Sequence, residues 1–166
     1  MNGITINIDP VIFQLGGFAL RWYSLTFAGA VALAVLLTLR EAGRRGLDVD
    51  KVGNVAFWAV VGGLVGARLF HVVDRLDFYL ANPLEILMVN HGGLAIWGGL
   101  ITGGLAALFV ARREGIPAQK MADATAIGLI AAQMVGRIGC IINGDAYGGP
   151  TDLPWGFVYA NPGAMI

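Results

Sequence analysis

The sequence predicts an all-α polytopic membrane protein with four membrane-crossing helices and its N-terminus outside, and three observations carry that expectation. Of the 166 residues, 57% are apolar and only 13% are charged, against roughly 25% in ordinary soluble domains. Mean hydropathy is +0.70. Long apolar stretches recur four times between short charged loops, the pattern of helices that each need about 17–25 residues to cross a bilayer. The 25 glycines suit a membrane bundle, where small residues let helix backbones approach closely. A soluble protein with buried core helices is the plainer alternative, and the low charge argues against it. Net charge is zero, so nothing in the composition calls for nucleic acid. A single cysteine cannot close an intrachain disulfide. The first 21 residues hold Asp9 and Pro10 and lack the basic, apolar and small-residue succession of a cleavable signal.

The first span covers about residues 22–39; it is uncharged and opens on Trp22 and Tyr23, aromatics of the kind that sit at a membrane interface. The second covers about 55–70 and contains Arg68 near its end. The third runs over about 94–110. The fourth, about 124–142, carries Arg137 close to its C-terminal end. Between them, residues 40–51 hold Arg40, Arg44, Arg45 and Lys51, and residues 111–123 hold Arg112, Arg113 and Lys120. Arg75 is the one Lys or Arg in the intervening loop 71–93, set against Asp74, Asp77 and Glu85. The positive-inside rule then makes the two basic loops cytoplasmic, and places the ends of the helices bearing Arg68 and Arg137 outside. The chain reads as one membrane domain over residues 1–166.

Glycine spacing predicts how the spans pack. Small residues recur every fourth position in the last span: Ala124, Gly128, Ala132, Gly136, Cys140 and Gly144. A period of four drifts slowly around a helix of 3.6 residues per turn, leaving a narrow groove. Gly62 with Gly66, and Gly99 with Gly103, supply grooves on the second and third spans. Arg137 follows Gly136, about 100° further round the helix, so it points beside that seam.

An arginine at the middle of a membrane helix costs about 2.5–3.5 kcal/mol on insertion scales. A guanidinium fork suits a phosphate better than any other side chain, and phospholipids are the abundant phosphates at that depth. The plainer readings of Arg137 are snorkelling to the interface and pairing with Asp145. Asn143 and Asp145 lie where the helix breaks, placed either to hold hydroxyl groups of a glycerol or to form a C-terminal cap with Gly144 in a left-handed conformation. Arg68, His71 and Asp74 share one helix face, for which a structural ion pair is the better reading.

These residues belong to runs that resemble one family. Arg21-Trp22-Tyr23, His91-Gly-Gly-Leu-Ala-Ile-Trp-Gly-Gly and Gly136-Arg-Ile-Gly-Cys-Ile-Ile-Asn-Gly-Asp-Ala-Tyr-Gly, with the opening Asp9-Pro-Val-Ile-Phe, closely resemble prolipoprotein diacylglyceryl transferase. The resemblance implies a bacterial inner-membrane enzyme of about seven spans without cofactor or metal. It implies transfer of a diacylglyceryl group from phosphatidylglycerol to the lipobox cysteine thiol of a preprolipoprotein signal peptide at the outer membrane face, with release of glycerol phosphate. Membrane lipid is then a partner and nucleic acid is not. Arg137 matches the arginine that binds phosphatidylglycerol, and Tyr23 a tyrosine that matters in the family. With Asn143, Gly144, Asp145, Gly148 and Arg68 they form the expected substrate-binding set.

Three departures qualify the resemblance. Trp97 stands where the family has a histidine, and an indole cannot take a proton from a thiol; His91, six residues earlier, is the candidate substitute base, or else an ordinary interfacial histidine. Cys140 replaces the usual asparagine of the signature and puts a small apolar thiol in place of an amide. The family also continues well beyond Ile166, with a second functional arginine and three further spans. The chain therefore reads as the N-terminal part of a longer transferase, without activity alone. A small anion transporter or channel subunit is the rival from another class, but it would need a polar stripe through several spans. A non-catalytic lipid-binding bundle accounts for the glycines but not for Asn143, Gly144 and Asp145 beside Arg137.

Overall fold

The computed structural model describes residues 3–15, 18–88, 92–145 and 148–165. In chain order these form strands β1 (Ile4–Ile6), β2 (Val11–Leu15) and β3 (Phe18–Arg21), then helices α1 (Trp22–Arg44), α2 (Val49–Asp74) and α3 (Leu76–Ala81). A 3₁₀ turn (Pro83–Ile86), α4 (Ile96–Arg113), α5 (Ala118–Asn143) and strand β4 (Phe157–Tyr159) follow. The protein is mostly helical, and α1, α2 and α5 are long and apolar enough to cross a membrane. The third expected span, α4, is not among those three: it has 18 residues, and Arg112 and Arg113 occupy its last turn.

Several boundaries need correction. α2 begins at Val49 rather than near 55 because the Asp48 carboxylate accepts hydrogen bonds from the N–H groups of Asp50 and Lys51 and caps the first turn. α1 runs past 39 to Arg44, its last turn tied by ion pairs from Glu41 to Arg44 (3.3 Å) and Arg45 (2.8 Å). α5 starts at Ala118, six residues before the expected span. α4 starts at Ile96, not Leu94, since Ala95 is extended and donates its N–H across to the Ala67 carbonyl at 2.9 Å. The all-α expectation also misses four short strands. β1 pairs in parallel with β4, joining Ile4 to Phe157 and Ile6 to Tyr159, and β2 pairs antiparallel with β3. Three-residue strands whose partner lies at the far end of the chain leave no local alternation to read.

By packing the chain forms two compact units, Met1–Ala34 with Gly128–Ile166, and Val35–Ile127. The second unit has its core where Ala42, Val52, Val55, Ala111, Ile116, Met121 and Ala124 meet, all buried. Two helix ends there stop in the same way. After α1, Gly46 takes φ 69° and Leu47 N–H bonds back to the Ala42 carbonyl at 2.9 Å; after α4, Gly115 takes φ 70° and Ile116 N–H bonds to Ala111 at 2.8 Å. Both are Schellman stops, with the following apolar residue packed back on the helix it ends.

α2 and α4 pack through the predicted glycines. Gly63 and Gly103 face each other, a Cβ on Gly103 standing 3.3 Å from the Gly63 Cα and 3.0 Å from the Ala59 carbonyl oxygen. Thr102 Oγ1 donates to the Gly62 carbonyl across the seam at 2.8 Å, or to the Gly98 carbonyl of its own helix at 2.7 Å. The outer faces stay apolar, with Phe57, Leu100 and Leu105 each about 60% exposed, as expected of helices meeting lipid.

In the first unit the small-residue stripe of the fourth span is met in part: Gly128 and Gly144 are buried, whereas among the described residues nothing lies within 4 Å of a Cβ built on Gly136. Gly139, off the stripe, also makes a close approach: a Cβ there would collide with the Thr26 hydroxyl and stand 3.6 Å from the Tyr23 Cα of α1.

Candidate functional site

The break after α5 gathers the candidate residues of the first unit. Gly144 ends the helix at φ 75°, its N–H bonded to the Cys140 carbonyl at 2.9 Å, so the expected left-handed cap is present. The chain then returns, and Met165 N–H donates to the Asn143 carbonyl at 3.0 Å. A Cβ on Gly144 would stand 3.2 Å from the Ala164 Cβ and 3.3 Å from Tyr159 Cε1. Gly144→Ala is expected to lower the thermal midpoint in detergent by the equivalent of about 1–2 kcal/mol, the cost of a left-handed backbone with a side chain. Gly136→Ala, with open space around it, should not lower it.

Asn143 is 4% exposed. Its Nδ2 donates to Asp145 Oδ2 at 2.9 Å and to the Met165 sulfur at 3.1 Å, which fixes the orientation of the amide. Among the described residues its Oδ1 has no partner. A buried acceptor left empty costs about 1–3 kcal/mol, and a hydroxyl donor would remove that cost. Asp145 is exposed and engaged by Asn143, so the expected alternative of an Arg137–Asp145 ion pair is absent among the described residues.

Arg137 stands exposed on α5, interacts with the Cys140 thiol and makes no ion pair among the described residues. A planar fork of donors of this kind suits an anion. Tyr23, from the start of α1, lies in electrostatic reach of Cys140 and Asp145. Tyr159 from β4 reaches the same carboxylate. Burial first, and the Asp145 charge second, push the Tyr159 phenol above its ordinary value, which keeps it a neutral hydrogen-bond donor at neutral pH. Tyr159 was missed in the sequence because it lies sixteen residues past Asn143 in a strand with no motif. Its only signal is the aromatic Phe157-Val158-Tyr159 run.

Arg68, in the second unit, is the opposite case. It is 7% exposed, and all five of its N–H donors meet backbone carbonyls. Nε donates to Ile86 (3.0 Å), Nη1 to Gly92 (2.5 Å) and Gly93 (2.9 Å), and Nη2 to Met88 (3.3 Å) and Glu85. The Tyr79 ring lies 5.3 Å from the guanidinium carbon. The expected ion pair of Arg68 with Asp74 is therefore not formed among the described residues, since a buried fork facing a loop of carbonyls is already satisfied.

The remaining candidates separate. His91, the candidate base, lies outside the described residues. Gly148 is exposed, with nothing within 4 Å of a built Cβ among the described residues. Trp97 projects from the first turn of α4, 70% exposed. Among the described residues no group of three or more His, Cys, Asp or Glu is arranged to hold a metal ion.

A sequence profile of the family described as prolipoprotein diacylglyceryl transferase matches residues 10–166. Curated relatives named phosphatidylglycerol–prolipoprotein diacylglyceryl transferase are similar along most of the chain. The one from Synechococcus elongatus is 39% identical over 146 residues, which is 88% of this chain and 50% of the relative. That from Clostridioides difficile is 41% identical over 151 residues, 91% of this chain and 61% of the relative. That from Listeria innocua is 39% identical over 150 residues, 90% and 54% respectively. The chain spans about half the length of the curated relatives it matches.

Proposed function

The chain belongs to the prolipoprotein diacylglyceryl transferase family, and from there we propose that it carries the lipid-phosphate half of a site that moves diacylglyceryl from phosphatidylglycerol to a prolipoprotein cysteine. The observation that carries this reading is the contrast between the two membrane arginines. Among the described residues, Arg68 has every donor occupied by backbone, whereas Arg137 is exposed and in no ion pair, on the helix that ends at a buried acceptor, Asn143 Oδ1, that has no donor.

In the reaction the cysteine thiolate attacks the glyceryl carbon that bears the phosphate. A carbon–sulfur bond forms, the carbon–oxygen bond breaks, and the electron pair leaves with glycerol phosphate. Negative charge grows on the departing phosphate, and a guanidinium bound there strengthens its hydrogen bonds as it grows. Asn143 Oδ1 accepts from a glycerol hydroxyl, and Asp145 holds the Asn143 amide in the orientation that turns Oδ1 outward from their bond. Tyr159 and Tyr23 supply neutral phenols at the rim.

The loop charges support four crossings with α4 as the third, the N-terminus outside, and the Arg137 end of α5 at the extracytoplasmic face of the bacterial cytoplasmic membrane. The substrates are then an outer-leaflet lipid and a secreted lipobox segment.

The test is to incubate the chain, alone and joined to any coding sequence that follows Ile166, with labelled phosphatidylglycerol and a lipobox peptide in vesicles. Thioether-linked lipid on the peptide is the expected result of the joined protein. Anion flux without transfer would make it a transporter subunit, and lipid binding without turnover a passive bundle.

A further inference from the structure

We propose that Arg68 is a positioning residue, a guanidinium clasp that holds two stretches of backbone, Glu85–Met88 and Gly92–Ala95, the second leading into α4. Its donors reach carbonyls on both sides of residues 89–91: Glu85, Ile86 and Met88 before them, Gly92 and Gly93 after. One planar group thus ties two stretches of backbone that have no ladder of their own. No lysine can do this, since an ammonium has three donors clustered on one atom, against five spread over three nitrogens.

The surroundings are built to the same end. Gly93 sits at φ 82°, and a Cβ there would stand 2.6 Å from His71 Cδ2 and 2.7 Å from Arg68 Nη1, so only glycine lets the backbone come that close. Tyr79, 6% exposed, covers the guanidinium and meets the His71 ring edge-on at 6.0 Å. Ala95 N–H then bonds to the Ala67 carbonyl, continuing the attachment to α2 one residue before Arg68. The inference rests on the function proposed above only for the weight that reading gives to the run ending at Gly99. With its donors filled, Arg68 positions Gly92 and Gly93 ahead of α4 and does not bind the lipid phosphate.

The test is amide hydrogen exchange on the 166-residue chain in phosphatidylglycerol nanodiscs, with lipid retention measured on the same samples. Arg68→Ala should speed exchange over residues 85–88 and 92–95 by about tenfold or more while residues 128–143 keep their protection. Ethylguanidinium added to that variant should restore most of the protection, and ethylammonium should not. Arg68→Lys should open both stretches part of the way. Phosphatidylglycerol retention should match the unsubstituted chain in all of these. Unchanged exchange, equal rescue by both cations, or loss of protection throughout the chain would overturn the clasp. So would a fall in lipid retention matching that of Arg137→Ala, which would make Arg68 a ligand. If Arg137→Ala itself retained the lipid, the proposed function would fail while the clasp stood.

Discussion

Arg137→Ala, in the chain joined to any coding sequence that follows Ile166, is expected to lower the proposed diacylglyceryl transfer by about a hundredfold or more, the loss seen when one donor to a developing anion is removed from a water-poor site. Insertion and folding should be unaffected, because the guanidinium is exposed and makes no ion pair among the described residues that its removal would strand. Arg137→Lys keeps the charge but loses the two-pronged geometry, so it should fall between alanine and the unsubstituted protein. Measuring transfer of labelled lipid to a lipobox peptide, alongside protein recovered in the membrane, separates chemistry from folding. Normal turnover by the alanine variant would remove the phosphate role.

The second large effect belongs to the α2–α4 seam. A Cβ on Gly66 would overlap the Cβ, Cγ2 and Oγ1 atoms of Thr102, so Gly66→Leu must push α4 away or expel the threonine. Overpacking of that kind costs about 3 kcal/mol, and it also breaks the Thr102 bond to the Gly62 carbonyl. The unfolding midpoint in detergent should fall steeply, and Thr102→Ala in the same chain should recover part of it. Gly104→Leu is the control: it lies on α4 with nothing within 4 Å, and should be tolerated. Equal loss at both positions would show that glycine count, and not the seam, sets the packing.

The α2–α4 contact was legible because it is written in residue type and period, with Gly62, Gly66, Gly99 and Gly103 spaced by one helical turn. The cap at Gly144 was legible for the same reason, since glycine after an apolar helix is the usual left-handed stop. The fourth span was legible only in part: the period of four passes through buried Gly128 and Gly144 but misses Gly139, which meets α1, because which glycine faces a neighbour depends on the crossing geometry. Arg68 misled differently. A charge near His71 and Asp74 suggests a carboxylate partner, but the actual partners are carbonyls, and every residue has a carbonyl. The site was half legible: Arg137, Asn143 and Asp145 fall within one short stretch of sequence, while Tyr159 and Met165 reach it by a return of the chain that no local pattern announces.

The pairing of β1 with β4 fixes an order of events. The Val35–Ile127 unit is continuous and complete once residue 127 has been made. The other unit is closed by a parallel strand pair that joins Ile4 to Phe157, and such long-range pairing bears the loop-closure entropy of everything between. During synthesis the first strand must therefore wait, unpaired, through the making of all five helices. The turn bearing Asn143 is fastened only after α5 is complete and Tyr159 and Met165, which touch it, have been made.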